Sequence, residues 1–371
     1  MPKTSASTNP PIKSTIRSRR PEALAHKGWV LKACAQAVAL ALAAMASPAG
    51  AIDFIWVGGT GNWSPAGANW NQAGLPGSTD NVFIDNGSAT NSVVSLNVSA
   101  IINDLNISNG DSLGVNNNLS FTILGNVVNN GTLGLNSGGN TTDLRIGPTT
   151  TFSGGGTLTM GNSNQNRIYG NSGATTEVLT NTATHTIRGA GQLGLNQMGL
   201  NNQGLIEANG SAGLVIDVSA TGMTNTGTLR AAGGPLTIWS TNLNNAGGLI
   251  GAVGSNVAIA GSSTITGGTL QSSAGGKVLL GGSSNLANVS NTGQTEIANN
   301  NTGLLTGTFT NTGNLQLASV GNTTDLRLNG NVTLAGAGSV TMSNYANNRI
   351  FGNSGSAAEV LTNATGHTIQ G

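Results

Sequence analysis

From Val93 onward the chain alternates apolar and polar residues in short runs: VVSLNV, INDLNI, LSFTI, TLGLN, DLRI, TLTM, LTIW, NLQL and NVTL. A period of two is the signature of β-strands with one buried face. Between the runs lie Asn/Thr-rich turns that end in glycine: Asn130-Gly131, Gln203-Gly204, Thr226-Gly227, Ala246-Gly247, Thr292-Gly293 and Thr312-Gly313. From Gly204 the glycines recur after 23, 20, 46 and 20 residues, and taking 46 as two units gives a repeat of 20–23 residues. That length suits one coil of a right-handed parallel β-helix, a solenoid in which two or three short strands and their turns stack on the coil before. About 15 such coils, each adding roughly 4.8 Å, predict a rod of order 70 Å. A series of β-sandwich domains is the rival architecture, but each would need about 100 residues, and the spacing shows no break of that kind. No long amphipathic helical pattern follows residue 51.

A longer repeat overlies the short one. Residues 140–189 return 182 positions later as residues 322–371, with 28 of 50 positions identical and no gap. Several differences exchange one apolar residue for another, as in Ile146/Leu328, Phe152/Leu334, Leu158/Val340 and Tyr169/Phe351. Such tolerance marks positions that pack unit upon unit. The chain stops at Gly371 inside this repeat, which predicts a fragment or a truncated frame.

Composition sharpens the picture. Only 7% of residues are charged, far below the quarter usual in globular proteins, yet 37% are apolar, which is too many for a disordered tract. Seven of the fourteen basic residues precede position 52. The rest of the chain carries seven basic and twelve acidic residues, a net charge near −5 that argues against nucleic acid as a partner. Residues 1–51 combine this basic stretch with the apolar run Ala33–Ala46 and the small-residue sequence Ala49-Gly50-Ala51. They read as a secretory signal cleaved between Ala51 and Ile52. The only cysteine, Cys34, lies in the same leader, so the exported part has no disulfide and no thiolate metal site.

Residues 52–100 concentrate the aromatics: Phe54, Trp56, Trp63, Trp70 and Phe83. A solenoid must close its open end, and large rings beside Gly/Pro turns predict an N-terminal cap. The functional alternative is a sugar-stacking platform built from Trp63 and Trp70. The opening W-x-G-G…G-x-W…N-W…P-G…D (Trp56, Gly58, Gly59, Gly61, Trp63, Asn69, Trp70, Pro76, Gly77, Asp80) and the N-x-G-x-L turns such as NNGTL and TNTGTL follow a long leader. Together they resemble the passenger regions of bacterial autotransporters and filamentous-haemagglutinin-like surface proteins. They are also similar to secreted β-solenoid proteins with a PEP-CTERM-type sorting signal. The resemblance implies an adhesin or matrix protein, secreted or held at the outer membrane of a Gram-negative bacterium. Its implied partners are a host or matrix polysaccharide or glycoprotein and an outer-membrane translocator or anchor, and it implies no cofactor. The C-terminal β-barrel of an autotransporter and the N-P-N turns of two-partner-secreted haemagglutinins are not found in this sequence.

Residues that could carry chemistry are few. Asp143 and Arg145 lie two apart in TTDLR, as do Asp325 and Arg327 in its second copy, so each pair shares one strand face. Polysaccharide lyases and hydrolases built on β-helices suggest an enzymatic alternative. It needs at least two carboxylates close together, with Glu177 or Glu359 as the second. An exposed ion pair of small worth is the plainer expectation. His185 and His367, each in an H-T-I run, are expected on the surface or in a side-chain ladder. Asp80, Asp85, Asp104 and Asp111 form the densest acidic run, but no G-G-x-G-x-D calcium turn occurs. A flat ice- or surface-binding solenoid would need regular T-x-T rows on successive coils. The sequence therefore predicts a non-enzymatic adhesive or structural β-helix.

Overall fold

In the computed structural model, residues 50–65, 69–85, 89–355 and 358–371 are described, and the predicted leader lies outside them. Ala51–Gly371 forms one body. It is a parallel β-solenoid, and the described residues contain strands and turns but no helix. Each coil crosses three faces in a fixed order. The first face is a ladder of 13 strands from Ala100–Ile102 to Thr368–Gln370. The second starts with Asp53–Ile55 and Asn81–Ile84, and the third with Thr60–Asn62 and Val93–Leu96. Strands Thr302–Asn311 and Thr324–Ala335 run round the corner between the second and third faces and join them into one sheet.

The solenoid has about 12 coils of about 23 residues, not 15, and at roughly 4.8 Å per coil the rod is about 60 Å long. The excess came from applying the 20–23-residue glycine spacing to the whole chain. The coil containing residues 161–180 is much longer, since Leu158 pairs with Ile187. The 46-residue glycine interval holds two coils and one further face: Gly268 is at the intermediate corner, where Ser290 N–H donates to its carbonyl, but Gly293 lies one corner on, ahead of the first-face strand Gln294–Ala298.

The alternating pattern fixes the core. On the first face Phe121, Leu144, Ile168, Leu193, Ile216, Ile238, Ile259 and Leu280 stack in register, one per coil, and all are buried. On the third face Leu113, Leu133, Leu158, Ile187, Ile206, Leu229, Ile250 and Leu270 do the same. Burying each such side chain contributes about 1.5–3 kcal/mol.

The turn glycines serve a close approach. The Thr228 N–H donates to the Gly204 carbonyl and the Leu249 N–H to that of Gly227, both across one coil. A Cβ on Gly227 would stand 2.2 Å from the Gly204 oxygen, and one on Gly204 2.3 Å from the His185 oxygen. No side chain fits there without forcing the coils apart.

The two copies of the long repeat occupy different faces. Strands Thr142–Ile146, Thr149–Ser153 and Thr157–Met160 lie on faces one, two and three. Their counterparts 324–328, 332–335 and Ser339–Met342 lie on faces two, three and one. The later strands Asn166–Gly170, Glu177–Asn181 and Thr186–Gly189 are displaced in the same sense. Near the handover is the shortest step of the first face, where Val278 pairs with Thr295 only 17 residues on. There the third-face strand Ser290–Asn291 has shrunk to two residues.

The corner glycines give a direct test. Gly227→Ala should lower unfolding stability by about 2–4 kcal/mol. Gly155→Ala, where a Cβ meets nothing within 4 Å, should change it by less than about 0.5 kcal/mol. Urea denaturation of both variants checks the pair.

Candidate functional site

The TTDLR segments build the most elaborate polar clusters of the rod. Asp143 stands on the first face, and its register neighbour one coil on is Arg167. Arg167 Nε donates to Asp143 Oδ1 at 2.7 Å and its Nη2 to Oδ2 at 2.8 Å. The Tyr169 hydroxyl donates to Oδ2 at 2.7 Å and Arg145 Nη2 at 3.2 Å. Both guanidinium carbons lie 5.4 Å from the Tyr169 ring centroid. Asp143 is only 3% exposed, which corrects the expected exposed pair of small worth. Burial alone would raise its carboxyl pKa, but the hydrogen bonds from Arg167, Tyr169 and Arg145 overcome that and hold it below the ordinary value. Burial and the bond to Asp143 push the Tyr169 hydroxyl up.

The second copy repeats this on the second face. Asp325 takes Arg349 Nε and Nη2 at 2.8 and 2.9 Å, and Arg327 Nη2 at 2.9 Å. Phe351 replaces the tyrosine, so its cluster has no hydroxyl donor, and it lies 5.2 Å from both guanidinium carbons. Arg167 and Arg349 were missed in the sequence because their partners stand one coil away. The signal was present as the repeated N-R-I, 24 residues after each T-D-L.

Glu177 does not join Asp143. It stands on the second face, where its Oε1 accepts the Ser172 N–H at 2.7 Å and closes its own turn. Glu359 does the same with the Ser354 N–H. The early aspartates also serve backbone: Asp80 takes the nearby Gly77 N–H, while Asp104 takes the Asn126 N–H and Asp111 the Ser92 N–H across one coil. Among the described residues no group of three or more metal-ligating side chains gathers.

Trp63 and Trp70 do not form a platform. Trp63 is 0% and Trp70 4% exposed, so neither offers a ring face to a sugar. The Trp70 ring packs edge-on against Phe54, Trp56 and Trp63, at centroid distances of 6.0, 5.0 and 4.8 Å. Trp63 continues to Phe121 at 5.8 Å. Its Nε1–H has no partner among the described residues, while Trp70 Nε1 donates to the Trp63 carbonyl. The cluster fills the first coils, whose strands already pair in register with the rest. Of the predicted cleavage residues, Ala51 and Ile52 are exposed, just ahead of the first strand.

Both histidines belong to buried ladders. Asn181 Nδ2 donates to Asn202 Oδ1, Asn202 to Asn225 and Asn225 to Asn245, at 2.7–2.8 Å. His185 joins the end of this row. Asn129 Nδ2 faces its Nε2 at 3.2 Å, and its Nδ1 faces Asn181 Oδ1 at 2.7 Å. Asn129 Oδ1 is occupied by the Gly131 N–H, so the amide must offer its NH2 to the ring. The imidazole is therefore neutral and protonated on Nδ1. Burial lowers its pKa to about 4. Asn291, Asn311, His367 and Asn363 repeat the arrangement one face on.

No protein-family model, curated protein or solved structure matches this chain.

Two outcomes follow from the ladder. Asn202→Leu removes the side-chain acceptor of the Asn181 amide and leaves the buried Asn225 side-chain oxygen without its donor, and should cost about 1–3 kcal/mol in a urea titration. For His185, the unfolded ring binds a proton below about pH 6.5 while the folded ring resists until about pH 4. Stability is full above the unfolded pKa and falls as pH drops through this window, by about 3 kcal/mol. Urea midpoints at pH 7 and pH 4.5 should show the fall, and His185→Gln should flatten it.

Proposed function

We propose that the chain is an exported structural or adhesive protein that presents a repetitive binding surface outside a Gram-negative cell. The observation that carries this reading is an outward column on the third face. Ser112, Thr132, Thr157, Thr186, Leu205, Thr228, Leu249, Thr269 and Ser290 follow one another in register, coil by coil. Each is half-buried. Short hydroxyl side chains at seven of these nine positions, at a coil spacing near roughly 4.8 Å, offer many weak contacts rather than one pocket, and affinity would come from multivalency. The partners we infer are a matrix or host polysaccharide or glycoprotein, with a translocator or anchor at the outer membrane.

The carboxylates support a non-enzymatic role. Both oxygens of Asp143 are occupied by Arg167, and those of Asp325 by Arg349. Glu177 serves its own turn on another face. The neighbouring outward column on the third face carries Thr159, Arg188, Glu207 and Arg230. That charge interrupts the T-x-T rows an ice-binding surface requires.

Expression of the full chain in a Gram-negative host tests the reading. The expected product starts at Ile52 and is cut by protease added to intact cells. Beads bearing many copies should hold a polysaccharide- or glycoprotein-coated surface at least about 100-fold more tightly than the free chain. A cytoplasmic product that keeps Met1, or equal affinity of beads and free chain, contradicts it.

A further inference from the structure

Trp239 stands apart from the other tryptophans of the described body. Trp56, Trp63 and Trp70 are sealed in the first coils, whereas Trp239 ends a first-face strand and is 48% exposed. One side of its indole lies on the next coil, where a Cβ on Gly261 would come within 3.0 Å of the ring. Only glycine leaves room for the ring there, and the remaining indole surface faces outward.

The corner holding the indole is rigid. Ser240 adopts a left-handed backbone with φ 48°. The buried Thr241 hydroxyl donates to the Trp239 carbonyl at 2.8 Å, and the Thr241 N–H donates to Ser263 Oγ at 3.1 Å. One coil earlier Val215 and Ile216 pair with Thr237 and Ile238, which sets Asp217 in line with Trp239. The position below Asp217 is Gly194, which contributes no side chain. Among the described residues nothing hydrogen-bonds the Asp217 carboxylate, and burial raises its pKa. Asn196, Asp217, Ser219, Trp239, Ser240 and Asn242 line a groove of about 470 Å³.

We propose that this groove binds a neutral saccharide segment, with a pyranose C–H face stacked on Trp239 and ring hydroxyls hydrogen-bonded to Asp217, Asn196 and Asn242. An apolar ring face beside several polar groups suits a sugar, whose faces are apolar and whose rim is hydroxylated. Asp217 accepts hydroxyl protons and repels uronates, which selects neutral over acidic polymers. The side-chain amides of Asn196 and Asn242 have no protein partner among the described residues, so both are available. A quaternary or methylated amine would also seek an aromatic and a carboxylate, but such ligands are held by cages of several rings, and here there is one. The inference rests on the reading of the rod as a binding surface and gives that surface a ligand class and a place.

Affinity electrophoresis of the exported chain tests it, in gels containing mannan, dextran, galactan or hydroxyethylcellulose, with alginate as the acidic polymer. The expected result is retardation by at least one neutral polymer and none by alginate. Trp239→Ala and Asp217→Ala should each weaken that retardation at least about tenfold, with unchanged thermal midpoints. Both side chains sit at the surface, so loss of folding is not expected, and Asn242→Ala supplies a third, milder variant of the same groove. Absence of retardation in all four neutral gels, retardation insensitive to Trp239→Ala, or displacement by tetramethylammonium but not by free sugar would overturn the proposal. Loss of the site leaves the surface reading intact if Trp239→Ala beads still adhere. Conversely, Trp239-dependent retardation of a chain that stays inside the cell would sink the surface reading alone.

Discussion

Everything in this rod depends on the contact distance between successive corners. Parallel strands must approach to about 4.8 Å to exchange backbone hydrogen bonds, and at the turns that brings one coil's carbonyl against the next coil's Cα. Gly204 and Gly227 satisfy the limit by having no Cβ. The asparagines beside them use the same spacing. The side-chain amides of Asn181, Asn202 and Asn225 each reach one coil ahead to the side-chain oxygen of the next asparagine. It also donates to a backbone carbonyl of its own turn, as Asn202 does to Gly204 at 3.1 Å. A buried amide left unpaired costs about 1–3 kcal/mol, so the row is stable only when unbroken. Where a long coil interrupts it, His185 supplies a ring with one donor and one acceptor and bridges Asn129 to Asn181.

The same rules let the repeat change faces. A solenoid core asks only that inward positions be apolar and that each coil match its neighbours in register. A segment written for faces one, two and three can therefore also be laid on two, three and one. The buried Asn291, which pairs with Leu270 on the third face, marks where the asparagine row resumes one corner on. Asp143 and Asp325 consequently present near-identical arginine clusters in different directions around the axis. Duplication displays a surface motif on more than one face without new folding information.

Much of the architecture was legible. The period-two runs at Leu133, Leu158 and Leu229 give strands with buried leucines, and the glycine spacing gives the coil length. Coil number was less so, because long turns such as the one before Glu177 add residues without adding a coil. The site was less legible still. Asp143–Arg145 showed as a pair two apart, but Arg167 became a partner only through stacking, which sequence separation hides. Trp63 and Trp70 carried the right residue type for a sugar platform. Both rings are instead buried in the core of the first coils. Trp239 went unremarked because its run, LTIW, reads as an ordinary strand. The room for its ring depends on Gly261, one coil away.

The most direct measurement concerns the change of face. With Cys34 replaced by Ser, the chain has no other thiol, so cysteine pairs report register. In this structure Leu279 and Glu296 are partners on the first face, within reach of a disulfide. The variant with cysteine at both positions should cross-link rapidly under mild oxidation. The pair at Gln271 and Glu296 would be neighbours had the repeat kept its original face, and it should not cross-link. The opposite result would place both copies on the same faces and contradict the account.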